Sequence, residues 1–212
     1  MSTILRKGVA VIGIAVIGSV LVIGTYLPYR KSRAIAAVSR NLGGATTVER
    51  FLGVFEEVLA LRSPNGQEEA VLFAGEQLVK AIGAQGDPRV ANAIVAYAEK
   101  IFASLLTASG GTPPTAVVDS GSSPAKNLLS LGRIHHAAWM KTGDAAYAKR
   151  SEELYLRCLE ASPRRPECLY GLFQLYVSAD KKEQVRLAGE EILRYWPDER
   201  VREALQKTEQ RP

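Results

Sequence analysis

Cysteine and histidine are scarce in this chain of 212 residues, two of each, and the first forty residues contain neither aspartate nor glutamate. Cys158 and Cys168 stand ten residues apart, too few for a disulfide scaffold and without the paired spacing of a zinc site, so two buried thiols are expected. His135 and His136 are neighbours, which on a helix turns their rings about 100° apart, whereas two imidazoles sharing one metal need i, i+4 spacing. One is expected to pack inside and the other to meet solvent. Gly43-Gly44 has no Lys-Ser or Lys-Thr after it, so a phosphate-cradling loop is not supported and a hinge is expected. The pairs Glu56-Glu57, Glu68-Glu69, Glu152-Glu153 and Glu190-Glu191 fit solvated helix faces, where glutamate is favoured by its helix propensity. No catalytic, cofactor-binding or metal-ligating constellation emerges, and no cofactor is expected.

What the chain does have is a run of nineteen uncharged residues, Val9 to Leu27. At about 1.5 Å rise per residue it spans close to the ~30 Å hydrocarbon core of a bilayer, where a helix satisfies its own backbone polar groups. A secretory signal peptide is the competing reading, because Arg6 and Lys7 precede the run and Ala34-Ile35-Ala36 loosely imitates a cleavage site. The run exceeds the usual apolar region of such a peptide, and Arg30, Lys31 and Arg33 intervene before the tripeptide. The expectation is a retained single-pass anchor in a bacterial inner membrane, with Tyr26 and Tyr29 at the interface and Pro28 where the helix bends or stops. Ala15 and Ser19 form a small-xxx-small pair of a kind common by chance.

The formal charge of +5 suggests a nucleic-acid partner only until the charges are placed. Six basic side chains (Arg6, Lys7, Arg30, Lys31, Arg33, Arg40) fall in the first forty residues, leaving 21 basic against 22 acidic in the rest. Arg30, Lys31 and Arg33 are therefore read as a membrane flank facing anionic lipid head groups, and no nucleic-acid partner is expected. Arg6, Lys7 and the terminal amine on one side, against Arg30, Lys31, Arg33 and Arg40 on the other, favour a cytoplasmic C-terminal domain by a small margin.

Beyond the span the composition is helix-forming, and no run reads as a strand. Thr46 and Glu49 form a capping-box pattern ahead of VERFLGVFEEVLAL, whose Phe51, Val54, Phe55, Val58 and Leu59 recur at helical spacing. Ser63 to Gly66 stops that helix, a second runs to about Ile82, and Asp87-Pro88 opens a third as cap and first helical residue. The Gly, Pro and Ser content of Ser109 to Pro124 predicts a solvated loop. Paired helices come next, turned at Gly143-Asp144, Ser162-Pro163 and Ala179-Asp180. The expected organisation is a tail and transmembrane helix over 1–30, a juxtamembrane helix and first helical half over 31–108, a flexible loop over 109–123, and helix pairs with a C-terminal helix over 124–212.

Helix pairs of about 34 residues characterise tetratricopeptide repeats, in which stacking covers the apolar face that neither helix buries alone. Pro166 to Glu199 resembles one repeat: Leu169, Leu172 and Tyr176 match its first helix, and Val185, Ile192, Leu193 and Pro197 match its second helix and end. Phe173, Asp180 and Gly189 depart from the pattern. The preceding unit keeps Leu131-Gly132, Gly143-Asp144, Ala148, Tyr155 and Pro163 in order, but with extra residues. The predicted fold is all-α, one N-terminal transmembrane helix followed by an irregular tetratricopeptide-like α-solenoid. Tyr170, Phe173, Tyr176, Tyr195 and Trp196 form an aromatic cluster, expected to stack between repeats. The sharper alternative is a peptide-binding groove on Tyr170, Phe173 and Tyr176.

The apolar span, the PYRKSRA juncture, FEEVLAL followed by NGQEEAV, and the irregular helix pairs together resemble the C-terminal region of O-antigen ligase-like membrane proteins. The resemblance implies a module bound to the bilayer, with protein partners on its helical repeats and a place in a membrane glycan-assembly complex. That family's catalytic residues lie in loops between many membrane helices, and none maps onto this chain. The chain is therefore read as a non-catalytic scaffold. The alternative is the tail or a subunit of a glycan ligase or polymerase, active only when joined to such a membrane domain.

Overall fold

Pro28 does not end the apolar helix. In this computed structural model, which describes residues 3–61, 63, 66–84, 87–107 and 123–210, α1 (Thr3–Leu21) passes through a π-helical turn (Val22–Tyr26) into α2 (Leu27–Asn41). Proline offers no N–H to the carbonyl four residues back, Gly24, and its ring crowds that carbonyl. The backbone widens just ahead of it, the Leu27 N–H reaching back to the Val22 carbonyl. Of the bend or stop expected at Pro28, the stop does not occur: the helix continues through a one-turn widening. Among the described residues one helical stretch, Val11–Gly44, is long and apolar enough to cross a membrane, a measure that signal sequences also meet, and its apolar window is wholly unburied. The expected loop over 109–123 lies outside the described residues except for Ser123.

The described residues form two compact units, divided after Val71. In the first, α2 ends in a short 3-10 turn (Leu42–Gly44) and packs on α3 (Val48–Ala60). The cap of α3 is Thr47, whose hydroxyl oxygen accepts the Arg50 N–H at 3.3 Å. This corrects the capping box expected at Thr46 and Glu49: Thr47 carries the extended backbone of a cap, and the third helical position is then Arg50. Phe51 and Phe55 meet edge to face at 5.3 Å, and Phe55 and Val58 are buried. α4 (Gln67–Ala84) begins in this unit.

The second unit holds the remainder of α4, then α5 (Pro88–Thr107), α6 (Pro124–Thr142), α7 (Ala145–Ala161), α8 (Pro166–Ser178), α9 (Lys182–Tyr195) and α10 (Glu199–Glu209). From α5 onward each helix packs on its neighbour in the chain, and α6 also meets α8. Short caps make these turns tight. Asp87 accepts the Arg89 N–H, Gly143 closes α6 at φ +73°, Asp144 caps α7, and Asp180 takes a left-handed φ of +51° where the repeat pattern would place glycine. The core runs through Leu131, Ile134 and Leu154 into Leu172, Phe173, Leu175, Val185 and Ile192. Val201 and Leu205 of α10 close its far end, the Leu205 methyl lying 2.8 Å from where a Cβ on Gly189 would stand.

Cys158 and Cys168 are joined as a disulfide, correcting the expectation of two thiols. Packing of α7 on α8 across a short turn brings their Cα atoms to 6.0 Å, within the span such a bridge needs, and both residues are fully buried.

Candidate functional site

Helical periodicity builds one concave surface in the second unit. On α6, Leu129, Arg133, His136 and Met140 recur at i, i+4, i+7 and i+11 and share a face; on α8, Pro166, Tyr170 and Gln174 do the same. With Val79 of α4 these faces line a cavity of about 670 Å³. Its lining combines apolar side chains, Val79, Leu129, Ala137 and Met140, with the polar groups of Arg133, His136, Glu167, Tyr170 and Gln174. Met140 is 62% exposed, a large apolar side chain offered to whatever enters.

Tyr155 of α7 sets the depth of the groove. Its ring lies between α6 and α8, and a Cβ added at Gly132 or Gly171 would come within 2.8 or 2.7 Å of it. Two glycines therefore let the ring fill the seam from behind. Burial pushes the Tyr155 hydroxyl up to about 12, against the pull of its Ser151 hydrogen bond and the Arg133 charge. Ser151 in turn donates to the Gly132 carbonyl at 2.9 Å.

Tyr170 joins the groove to the end of the chain. Its hydroxyl donates to Asp198 Oδ2 at 2.7 Å while Asp198 Oδ1 accepts the Arg200 N–H at the start of α10. That hydrogen bond, with burial behind it, raises the phenol to about 12 and holds the Asp198 carboxyl below its usual range. His136 stacks on Trp139 at 5.9 Å, and burial lowers its pKa.

Of the aromatic cluster Tyr170, Phe173, Tyr176, Tyr195 and Trp196 expected from sequence, Tyr170 alone lines this cavity. Phe173 and Tyr176 lie in the core, 5% and 7% exposed. The Tyr176 hydroxyl donates to Glu152 at 2.8 Å, and Glu152 also receives Lys181 at 2.9 Å. Burial would raise the Glu152 carboxyl, but these two hydrogen bonds outweigh it and the net shift is downward. The α6 wall, Arg133 and Met140 above all, was not singled out, although its i, i+4, i+7 spacing from Leu129 carries the signal.

His135 and His136 do part as their adjacency requires. His135 is buried with Nε2 2.9 Å from Glu99, which also meets Arg150 at 3.4 Å, while His136 faces the groove. Among the described residues no three His, Cys, Asp or Glu side chains gather as a metal site.

The three basic residues expected to form a membrane flank divide. Arg30 and Arg33 are exposed, with their guanidinium carbons 5.8 and 5.9 Å from the Tyr26 and Tyr29 ring centres. Lys31 is 1% exposed: its ammonium donates to the Leu61 carbonyl at 3.2 Å and to Gln67 Oε1. Lys31 therefore serves as an internal clasp on the segment between α3 and α4. No family model matches the chain, no curated protein matches its sequence, and no solved structure matches its fold.

Proposed function

We propose that this chain is a membrane-anchored scaffold of tetratricopeptide-like helix pairs that holds an extended segment of a partner protein in the groove between α6 and α8. The observation that carries this reading is the groove itself: a cavity of about 670 Å³ lined by apolar side chains with convergent polar groups from two helices. The exposed valines and isoleucines from Val11 to Ile23 support the anchor, because an apolar rod of that length gains free energy from lipid and loses it in water. A place in envelope glycan assembly draws its support from the sequence resemblance.

Met140→Lys and Tyr170→Ala test the groove in the full-length chain, recovered with its partners from detergent-solubilised membranes. Each is expected to lower partner recovery at least tenfold while thermal unfolding shows the fold retained; undiminished recovery from both would remove the groove from the function. Tyr176→Phe, which alters a core hydroxyl away from the cavity, is the control expected to keep the partner. Deleting residues 3–30 is expected to move the protein from the membrane to the soluble fraction, and unchanged sedimentation would count against the anchor.

A further inference from the structure

The two cysteines are the only ones in the chain, and they face each other across the α7–α8 seam with no exposed surface on either. A pair so placed has one possible connectivity and no competing thiol within the molecule. Chemistry then depends on the compartment: thiol pools of the cytosol keep such pairs reduced, whereas a protein carried across the inner membrane meets oxidised dithiol carriers. The charge count around the span is nearly balanced and discriminates little between the two orientations. The N-terminal helix is long and apolar enough to cross a membrane, as an anchor or a signal would be, and these properties fit either orientation, so the buried cysteine pair is the observation that favours one side.

We propose that the C-terminal helical domain is exported to the oxidising face of the membrane and that Cys158–Cys168 is a permanent staple formed there. In forming it, one cysteine thiolate attacks the disulfide of an oxidised dithiol carrier to give a mixed disulfide. The second thiolate then displaces the carrier as its dithiol, so that two electrons and two protons pass from the pair to the carrier. Burial shields the finished bond from exchange with small thiols, which makes it a structural staple. Its place is informative: Cys168 lies on α8 between Pro166 and Tyr170, so the bridge ties one wall of the groove to the helix that carries Tyr155. Formation of the staple does not depend on whether the groove binds a peptide.

The full-length chain with a C-terminal epitope tag, expressed in a bacterial host, tests it in two readouts. Cells are acid-quenched, denatured and treated with maleimide-polyethylene glycol before or after reduction, with a Cys158→Ala/Cys168→Ala chain as the unlabelled reference. Intact spheroplasts are separately exposed to external protease. The expected result is labelling only after reduction, by two maleimides per chain, together with a tag that is cleaved by the external protease or recovered outside the cell membrane. Labelling without reduction would overturn the staple. A tag protected until the membrane is lysed would overturn export, even with the bridge formed.

Discussion

At the scale of single residues, Tyr155 has its ring held between two glycines. Its ring occupies space that a methyl group at either Gly132 or Gly171 would claim, and a buried aromatic ring has little freedom to yield. Gly132→Ala and Gly171→Ala are each expected to cost about 1 to 3 kcal/mol in denaturant unfolding. In a Tyr155→Leu background the further cost of either alanine is expected to shrink, because neighbours that compete for one volume are not additive. Equal costs in both backgrounds would show that the ring is not what the glycines accommodate. Leu131-Gly132 and Tyr155 were visible in the sequence as repeat-like positions. That they share one volume, and that Gly171 completes the clamp, depends on the approach of two helices, α6 and α8, with all of α7 between them in the chain, which no local pattern records. Tyr170, Phe173 and Tyr176 show the same limit: the sequence marks three large aromatics on one helix, and packing sends one to a groove wall and two to the core.

The helices themselves were largely legible, since caps act within a few residues of the backbone groups they satisfy. Asp87-Pro88, Gly143-Asp144 and Pro166 stand at element ends as their chemistry requires, while the cap of α3 shifted by one residue because Thr46 and Thr47 offer the same hydroxyl. Lys31 was not legible as a clasp. Read along the chain it is one of three flanking cations; folded, its ammonium reaches a carbonyl thirty residues away. Lys31→Met is expected to leave the Leu61 carbonyl and Gln67 short of a donor, at a cost of about 1 to 3 kcal/mol. Hydrogen exchange is the measurement that checks it. Amides at the start of α4, where the Ala70 N–H bonds the Gly66 carbonyl, are expected to exchange faster in Lys31→Met and unchanged in Arg30→Met. Unaltered protection in Lys31→Met would deny the clasp a stabilising part.

For the molecule as a whole, the two histidines, one buried and one partly buried, set how the fold answers acid. Burial lowers the pKa of His135 from 6.5; the hydrogen bond and charge of Glu99 oppose this, Arg150 adds to it, and the net shift is downward. His136 shifts the same way through burial alone. A base whose folded pKa lies below its unfolded value binds more protons when unfolded, so its stabilising contribution is complete above about pH 6.5 and is lost as pH falls through the folded value. The midpoint of thermal unfolding is therefore expected to fall between about pH 7.5 and 5. A His135→Gln/His136→Gln chain is expected to show a shallower fall, and an unaltered slope would assign the acid response elsewhere. By itself the sequence determined the helical class, the apolar segment and most helix ends, because each is decided by periodicity and capping within a turn or two of chain. The tertiary structure alone decided that two sulfurs meet, that Lys31 turns inward and that α6 and α8 line one groove, because those outcomes depend on contacts between residues distant in sequence.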